Sequence, residues 1–216
     1  MRTLLLLALA SVSLLAGGCA IGGAFAALEE SRRRHSTHEV KAQYTGLDSK
    51  TFAVVVAADM SIMADFPNAP DLILSGVNER LREFANASGY IPSRDLLGYL
   101  YANPRWRALP RSELAKELGV SRIVWIELME FRLTDPGNQY VWAGVAGGTI
   151  SVLEADGPLP EDYVFERAVS VKFPDADGYG PDELPGGAVA TTLVNRFVDR
   201  ASWLFYNHQE PYYPEY

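Results

Sequence analysis

Cysteine occurs once in the 216 residues, at Cys19. No disulfide can close within the chain, so a protein of this kind outside the cytoplasm must be held by its core alone. Histidine is nearly as scarce: His35 and His38 fall in a polar stretch near the start, and His208 lies near the end. An enzyme that uses a histidine base has no obvious place for one, and no serine sits in a G-x-S-x-G elbow. Positive charge is also in deficit, with 19 Lys and Arg against 27 Asp and Glu and a formal net charge of -8. Such a chain has no electrostatic reason to hold nucleic acid, and anionic lipid headgroups repel it mildly. What is present is globular: 48% hydrophobic and 21% charged residues, in a length that suits one domain.

The first nineteen residues organise the reading. A basic start at Arg2, an uncharged apolar run from Leu4 to Leu15 and small residues before Cys19 have the pattern of an export signal. Leu15-Ala16-Gly17-Gly18-Cys19 resembles the bacterial lipobox, with the leucine one place early because Ala16 holds its usual position. The resemblance implies that residues 1–18 are removed and that Cys19, newly amino-terminal, carries a diacylglycerol on its thiol and an acyl chain on its amine. Loss of Arg2 then takes the formal charge from -8 to about -9. Two alternatives stay open. The uncharged run extends to Leu28 with Arg32, Arg33 and Arg34 behind it, which suits an uncleaved signal anchor; ordinary cleavage after Ala20 or Ala26 leaves the cysteine unexplained. By the same resemblance, the absence of aspartate after Cys19 leans toward the outer membrane, facing the periplasm.

Residues 19–50 read as a lipidated tether, 51–207 as a single domain and 208–216 as an aromatic tail. Phe52 to Ala58 is a short valine-rich run, the composition of a strand buried on both faces. The periodicity predicts a helix over 71–88 with Leu74, Val77, Leu81, Phe84 and Ala85 inward and Asn78, Glu79, Arg80, Arg82 and Glu83 outward. A brief strand at Tyr90-Ile91, a helix from Ser93 to Tyr101 and a helix from Pro110 to Leu118, begun by Pro110 or capped by Ser112 and closed by Gly119, lead into a strand over 121–133. Strands over 140–153 and 163–173 follow, joined by a turn rich in Gly and Pro, and Tyr163, Phe165, Val169, Val171 and Phe173 are expected on one face. A loop over 175–187 and a helix over 188–207 complete the domain. The alternation predicts an α/β fold, with α+β as the alternative: a mixed sheet of about five strands under helices, ending in an antiparallel hairpin.

Candidate chemistry is thin. Glu127 and Glu130 are a carboxylate pair of the kind an acid-based envelope hydrolase needs, but residues three apart on a strand face opposite ways unless a bulge intervenes. Asp59 follows the buried strand, where α/β proteins often place functional groups, and equally suits a solvated loop acid. His35 and His38 have metal-ligand spacing without a completing set, so neither a metal nor a cofactor is expected. Gly144 to Gly148 lacks the lysine and the strand-turn-helix context of a phosphate loop; its glycines more plausibly admit a close backbone or curve the sheet. Two aromatic spots are candidate partner contacts: Trp106 between Arg105 and Arg107, and Tyr212, Tyr213 and Tyr216 in the tail, which suits a frayed terminus as well.

The valine-rich strand, the amphipathic helix, and Ala115 to Gly119 running through Val120 and Ser121 into a strand resemble a small α/β domain. It is shared by curli-secretion lipoproteins, lipoprotein activators of penicillin-binding proteins and the amino-terminal domain of TolB. The resemblance implies a non-enzymatic domain that binds a protein or cell-wall partner or assembles, and it transfers no catalytic residue. A channel-forming role is disfavoured, because 140–153 is apolar on both faces and lacks the polar side a barrel strand turns to its lumen.

Overall fold

The computed structural model describes residues 36–138 and 140–211. They divide into two units. In the small one, residues 36–40 and 209–211, β1 (Thr37–Val40) pairs with the last strand of the chain in a two-stranded sheet. β1 falls in a stretch that the sequence reads as tether.

The main unit, Lys41–His208, runs β2 (Thr51–Ala58), α1 (Met60–Asp65), α2 (Ala69–Phe84), β3 (Gly89–Tyr90), α3 (Ser93–Ala102), a 3-10 turn (Pro104–Ala108), α4 (Arg111–Leu118), β4 (Arg122–Arg132), β5 (Gly144–Glu154), β6 (Tyr163–Phe173) and α5 (Gly186–Ser202). The last strand, β7, is His208–Pro211, where a tail was expected. Strand order is β3-β2-β4-β5-β6, with β2 parallel to β3 and β4, and β4, β5 and β6 antiparallel in turn. This is the expected α/β fold with its mixed five-stranded sheet and antiparallel end.

Phe52 to Val56 are all buried, as a strand covered on both faces requires. One face carries Val124, Ile126, Leu128 and Phe131 of β4 and is packed by α2 and α5, which bury Ile73, Leu74, Val77 and Leu81, and Val189, Leu193, Phe197 and Ala201. The other is covered over its beginning by the α3–α4 segment, whose Trp106 lies 5.5 Å from Trp125, ring to ring. Beyond Trp125 that second face is wet: Glu127, Met129, Glu130, Glu166, Ala168 and Ser170 are exposed.

Several expectations change. Asn78, read as an outward residue of α2, is fully buried; its amide donates to the Ile91 carbonyl at 2.9 Å and to Ser93 Oγ at 3.0 Å, tying α2 to the start of α3. Phe84 ends α2 at 49% exposure, outside the expected apolar stripe. β5 starts at Gly144, because Trp142 turns toward the 174–185 loop, donating from its backbone to Tyr179 O (2.8 Å) and from Nε1 to Leu184 O (2.7 Å). α5 stops at Ser202 and the chain turns there, which buries Tyr206 against Phe84 at 5.0 Å between centroids.

Two register shifts decide which side chains share a face. On β6, Phe165 pairs with Val152 but Tyr163 with Leu153, so Val164 is the extra residue. Tyr163 therefore lies on the second face, near Arg111, while Phe165 packs with Tyr44 and Phe205 on the first. On β4, Leu128 pairs with Gly148 and Glu130 with Gly147, so Met129 is extra and Glu127 and Glu130 come to the same wet face.

Candidate functional site

The sequence places Trp106 between two arginines; the fold places it at the end of a longer row. Trp106 itself is 7% exposed, so its indole belongs to the core, and what the 3-10 turn presents to solvent is Arg105 and Arg107. The Arg107 guanidinium lies 5.2 Å from the Trp106 ring centre, and Trp106 meets Trp125. Arg111, at the start of α4, stands 5.9 Å from the Trp125 ring and 4.3 Å from that of Tyr163. Arg107, Trp106, Trp125, Arg111 and Tyr163 thus form one contiguous row, two guanidiniums against three rings, across the 3-10 turn, β4, α4 and β6. Rings hold a guanidinium flat while its edge donors meet oxygen acceptors, as Arg111 Nη1 does in donating to the Glu161 carbonyl at 3.2 Å. Carboxylates stand beside the row as well: Glu161 is bonded to Arg111, and Glu127 and Glu166 lie near Tyr163.

Arg111 is fixed from behind. Glu161, in the β5–β6 turn, accepts from the Arg111 N–H at 2.9 Å and the Ser112 N–H at 3.2 Å, and from the Ser112 hydroxyl. The Glu161 carboxylate, and not the Ser112 hydroxyl, therefore caps the first turn of α4; the helix starts directly after Pro110, as one of the two expected starts had it, and Gly119 ends it at φ 68° as expected. The Ser112 hydroxyl, and then the two N–H groups, hold Glu161 below its ordinary 4.5.

At the base of the sheet a second network joins the strands to the segment entering the domain. Arg122, 5% exposed, donates to Gly46 O at 3.2 Å and Ser121 O at 2.9 Å, pairs with Asp156 and stands 3.6 Å from Glu154. Tyr44 donates to Glu154 at 2.7 Å and Lys50 to Asp156 at 2.8 Å. Burial, with the Glu154 carboxylate, pushes the Tyr44 phenol up, while Lys50 and then Arg122 hold Asp156 below 3.8. Asp175 is also lowered, by Arg196 at 2.6 and 2.5 Å. All three lowered carboxylates have folded values below their unfolded ones, so their stabilisation is complete above the unfolded value and disappears as pH falls through the folded one. Melting temperature should stay level from neutral pH to about pH 5 and fall below about pH 4, as a thermal-melt series will read.

Two cavities lie away from the candidate acids. A groove of about 750 Å³ beside α4 is lined by Thr51, Ser112, Lys116, Ser121 and Asp156, and an apolar one of about 250 Å³ by Phe66, Leu72, Phe131, Ala190 and Val194. Neither is lined by Asp59, Glu127 or Glu130. The bulge brings Glu127 and Glu130 to one face, but that face is open, and Glu130 is paired with Arg132 at 2.7 Å. Among the described residues no group of three His, Cys, Asp or Glu could hold a metal, and no helix is long and apolar enough to cross a membrane. Cys19, His35, Tyr212, Tyr213 and Tyr216 lie outside the described residues. The sequence missed Arg111, Trp125 and Tyr163 as neighbours of Trp106. Only the alternation of β4, which points Trp125 to the same side as Glu127, hinted at it.

No family model matches the chain, and no curated protein matches it. Solved structures that it resembles include PelC from Paraburkholderia phytofirmans, crystallised as a dodecamer, at 13% identity over 79% of this chain and 98% of that one, TM-score 0.47. Lipoprotein GNA1162 from Neisseria meningitidis is similar at 13% identity over 69% of this chain and 98% of that one, TM-score 0.45. A hypothetical protein from Chlamydia trachomatis is similar at 16% identity over 72% and 96%, TM-score 0.46. At these values no activity, partner or assembly passes from those proteins to this chain.

Proposed function

We propose that this is a non-catalytic, lipid-anchored protein of the bacterial cell envelope, facing the periplasm from the outer membrane, whose α/β domain binds a partner protein or cell-wall component. The observation that carries the binding role is the row of guanidiniums held on rings from Arg107 to Tyr163 in an otherwise acidic chain. It suits a partner that offers carboxylates or phosphates, with Arg105 and Arg107 as the first contacts. The lipobox-like sequence at Cys19 supports the location, and Tyr212, Tyr213 and Tyr216 would add an aromatic contact at the other end of the chain.

Two measurements test this. Mass spectrometry of the mature amino terminus should find an acylated Cys19; an intact Met1 would sink the anchor. Pull-down from envelopes with the native protein should recover a partner that the Arg105→Ala/Arg107→Ala variant loses by tenfold or more, about 1.4 kcal/mol. Cys19→Ala should alter location but not the partner captured. Equal capture by the double alanine variant would remove the arginines from the contact.

A further inference from the structure

Among the described residues, β6 is the outermost strand of the sheet, eleven residues long, and no other described strand pairs with its far side. The other edge is β3, which is two residues long. Among the described residues, the bond reaching β6 backbone from outside the sheet is that of Arg196 Nη1 to Lys172 O, at 2.6 Å. A long open edge is a template for another strand, and β6 carries no proline to block it.

We infer that this edge pairs with the β6 edge of a second copy of the chain, antiparallel and centred on Val169, to make a continuous ten-stranded sheet. The argument is one of register. A two-fold axis perpendicular to the sheet carries each face onto itself, so opposed residues must lie on the same face. With Val169 on the axis, Glu166 stands opposite Lys172 of the other copy, twice, on the wet face. Phe165 stands opposite Phe173, also twice, on the helix-covered face, and Ala168 opposite Ser170. Neighbouring centres lose this match: an axis at Ala168 leaves Glu166 opposite Ser170, and one at Arg167 sets that arginine against itself. Opposite charges and aromatic rings are favourable cross-strand pairs, and like charges directly opposed are not. Within one copy Glu166 and Lys172 are six residues apart along a strand, too far to compensate each other. The two-fold register therefore supplies each with a partner. This pairing needs neither the lipid nor the arginine row, so the Cys19→Ala chain should dimerise equally well.

The test uses the full chain in detergent, with cysteine introduced singly at 168, 169 or 170. Residues facing across the axis are within disulfide reach, and those two positions out of register are not. Val169→Cys should form a covalent dimer on mild oxidation. Ala168→Cys and Ser170→Cys should do so poorly alone and readily when mixed. Glu166→Lys and Lys172→Glu should each weaken the dimer about tenfold or more by sedimentation, and the double exchange should restore it. Circular dichroism melts confirm that each variant folds. A monomer up to about 0.1 mM chain, which bounds any affinity as negligible, overturns the dimer. Equal cross-linking at all three positions, or no rescue by the double exchange, overturns the register.

Discussion

Replacing Gly148 with alanine should cost about 3 kcal/mol or more, a fall in melting temperature of roughly 6–12 °C for a domain of this size. The added Cβ would stand 2.3 Å from the Glu127 carbonyl oxygen and 3.2 Å from both Glu127 C and Leu128 Cα. All three are backbone atoms at the bulge in β4, so no rotamer change relieves the overlap; β4 and β5 must part or the bulge must move. Moving it would also return Glu127 and Glu130 to opposite faces. Gly147, one residue away, is the control. Its added Cβ would find nothing nearer than Glu130 Cβ and Ser170 Oγ at 3.7 Å, ordinary contact, so Gly147→Ala should stay within about 1 kcal/mol of the parent. Thermal and urea melts of the two variants decide it. Equal effects would mean that the glycines serve flexibility and not close approach.

That pair also marks where sequence reading stops. The architecture was legible because hydrophobic periodicity is local: five consecutive buried residues in β2 and an apolar stripe on α2 and α5 follow directly from composition. What was not legible depends on register between strands far apart in sequence. Nothing local distinguishes Met129 or Val164 as the extra residue of a bulge, yet these two decide the faces of Glu130 and Tyr163. The glycines of 144–148 did carry the signal, since a backbone approach was one of the two readings open to them, but not which backbone. Asn78 failed for a different reason. A polar residue on an amphipathic helix is placed outward by pattern, and only tertiary contact with Ile91 and Ser93 makes burial tolerable. The candidate surface was half legible for the same reason as the fold. Arg105, Trp106 and Arg107 are contiguous, whereas Trp125 and Tyr163 reach them through sheet pairing.

Arg122→Ala should be comparably damaging, at about 2–4 kcal/mol, and through a different mechanism. The guanidinium is almost fully buried, and its removal leaves the carbonyls of Gly46 and Ser121 short of a donor, Glu154 without its nearest cation, and a void where the side-chain stem packed. Glu154 retains the Tyr44 hydroxyl, and Asp156 retains Lys50 and is partly in water, which keeps the loss below that of a fully buried pair. Arg122→Met should recover part of the packing but none of the hydrogen bonds, and so fall between the two. Asp156→Asn, at a more exposed group, should cost about 1 kcal/mol or less and flatten the acid limb of the pH profile. Because Arg122 binds Gly46 O, its loss should also free residues 41–50 before the sheet opens. Hydrogen exchange should therefore rise first at the amides of Gln43 and Tyr44, which donate to Leu204 O at 2.8 and 3.0 Å, and at that of Lys50. Uniform exchange across β4 and β5 instead would show that Arg122 holds the sheet itself and not the segment leading into it.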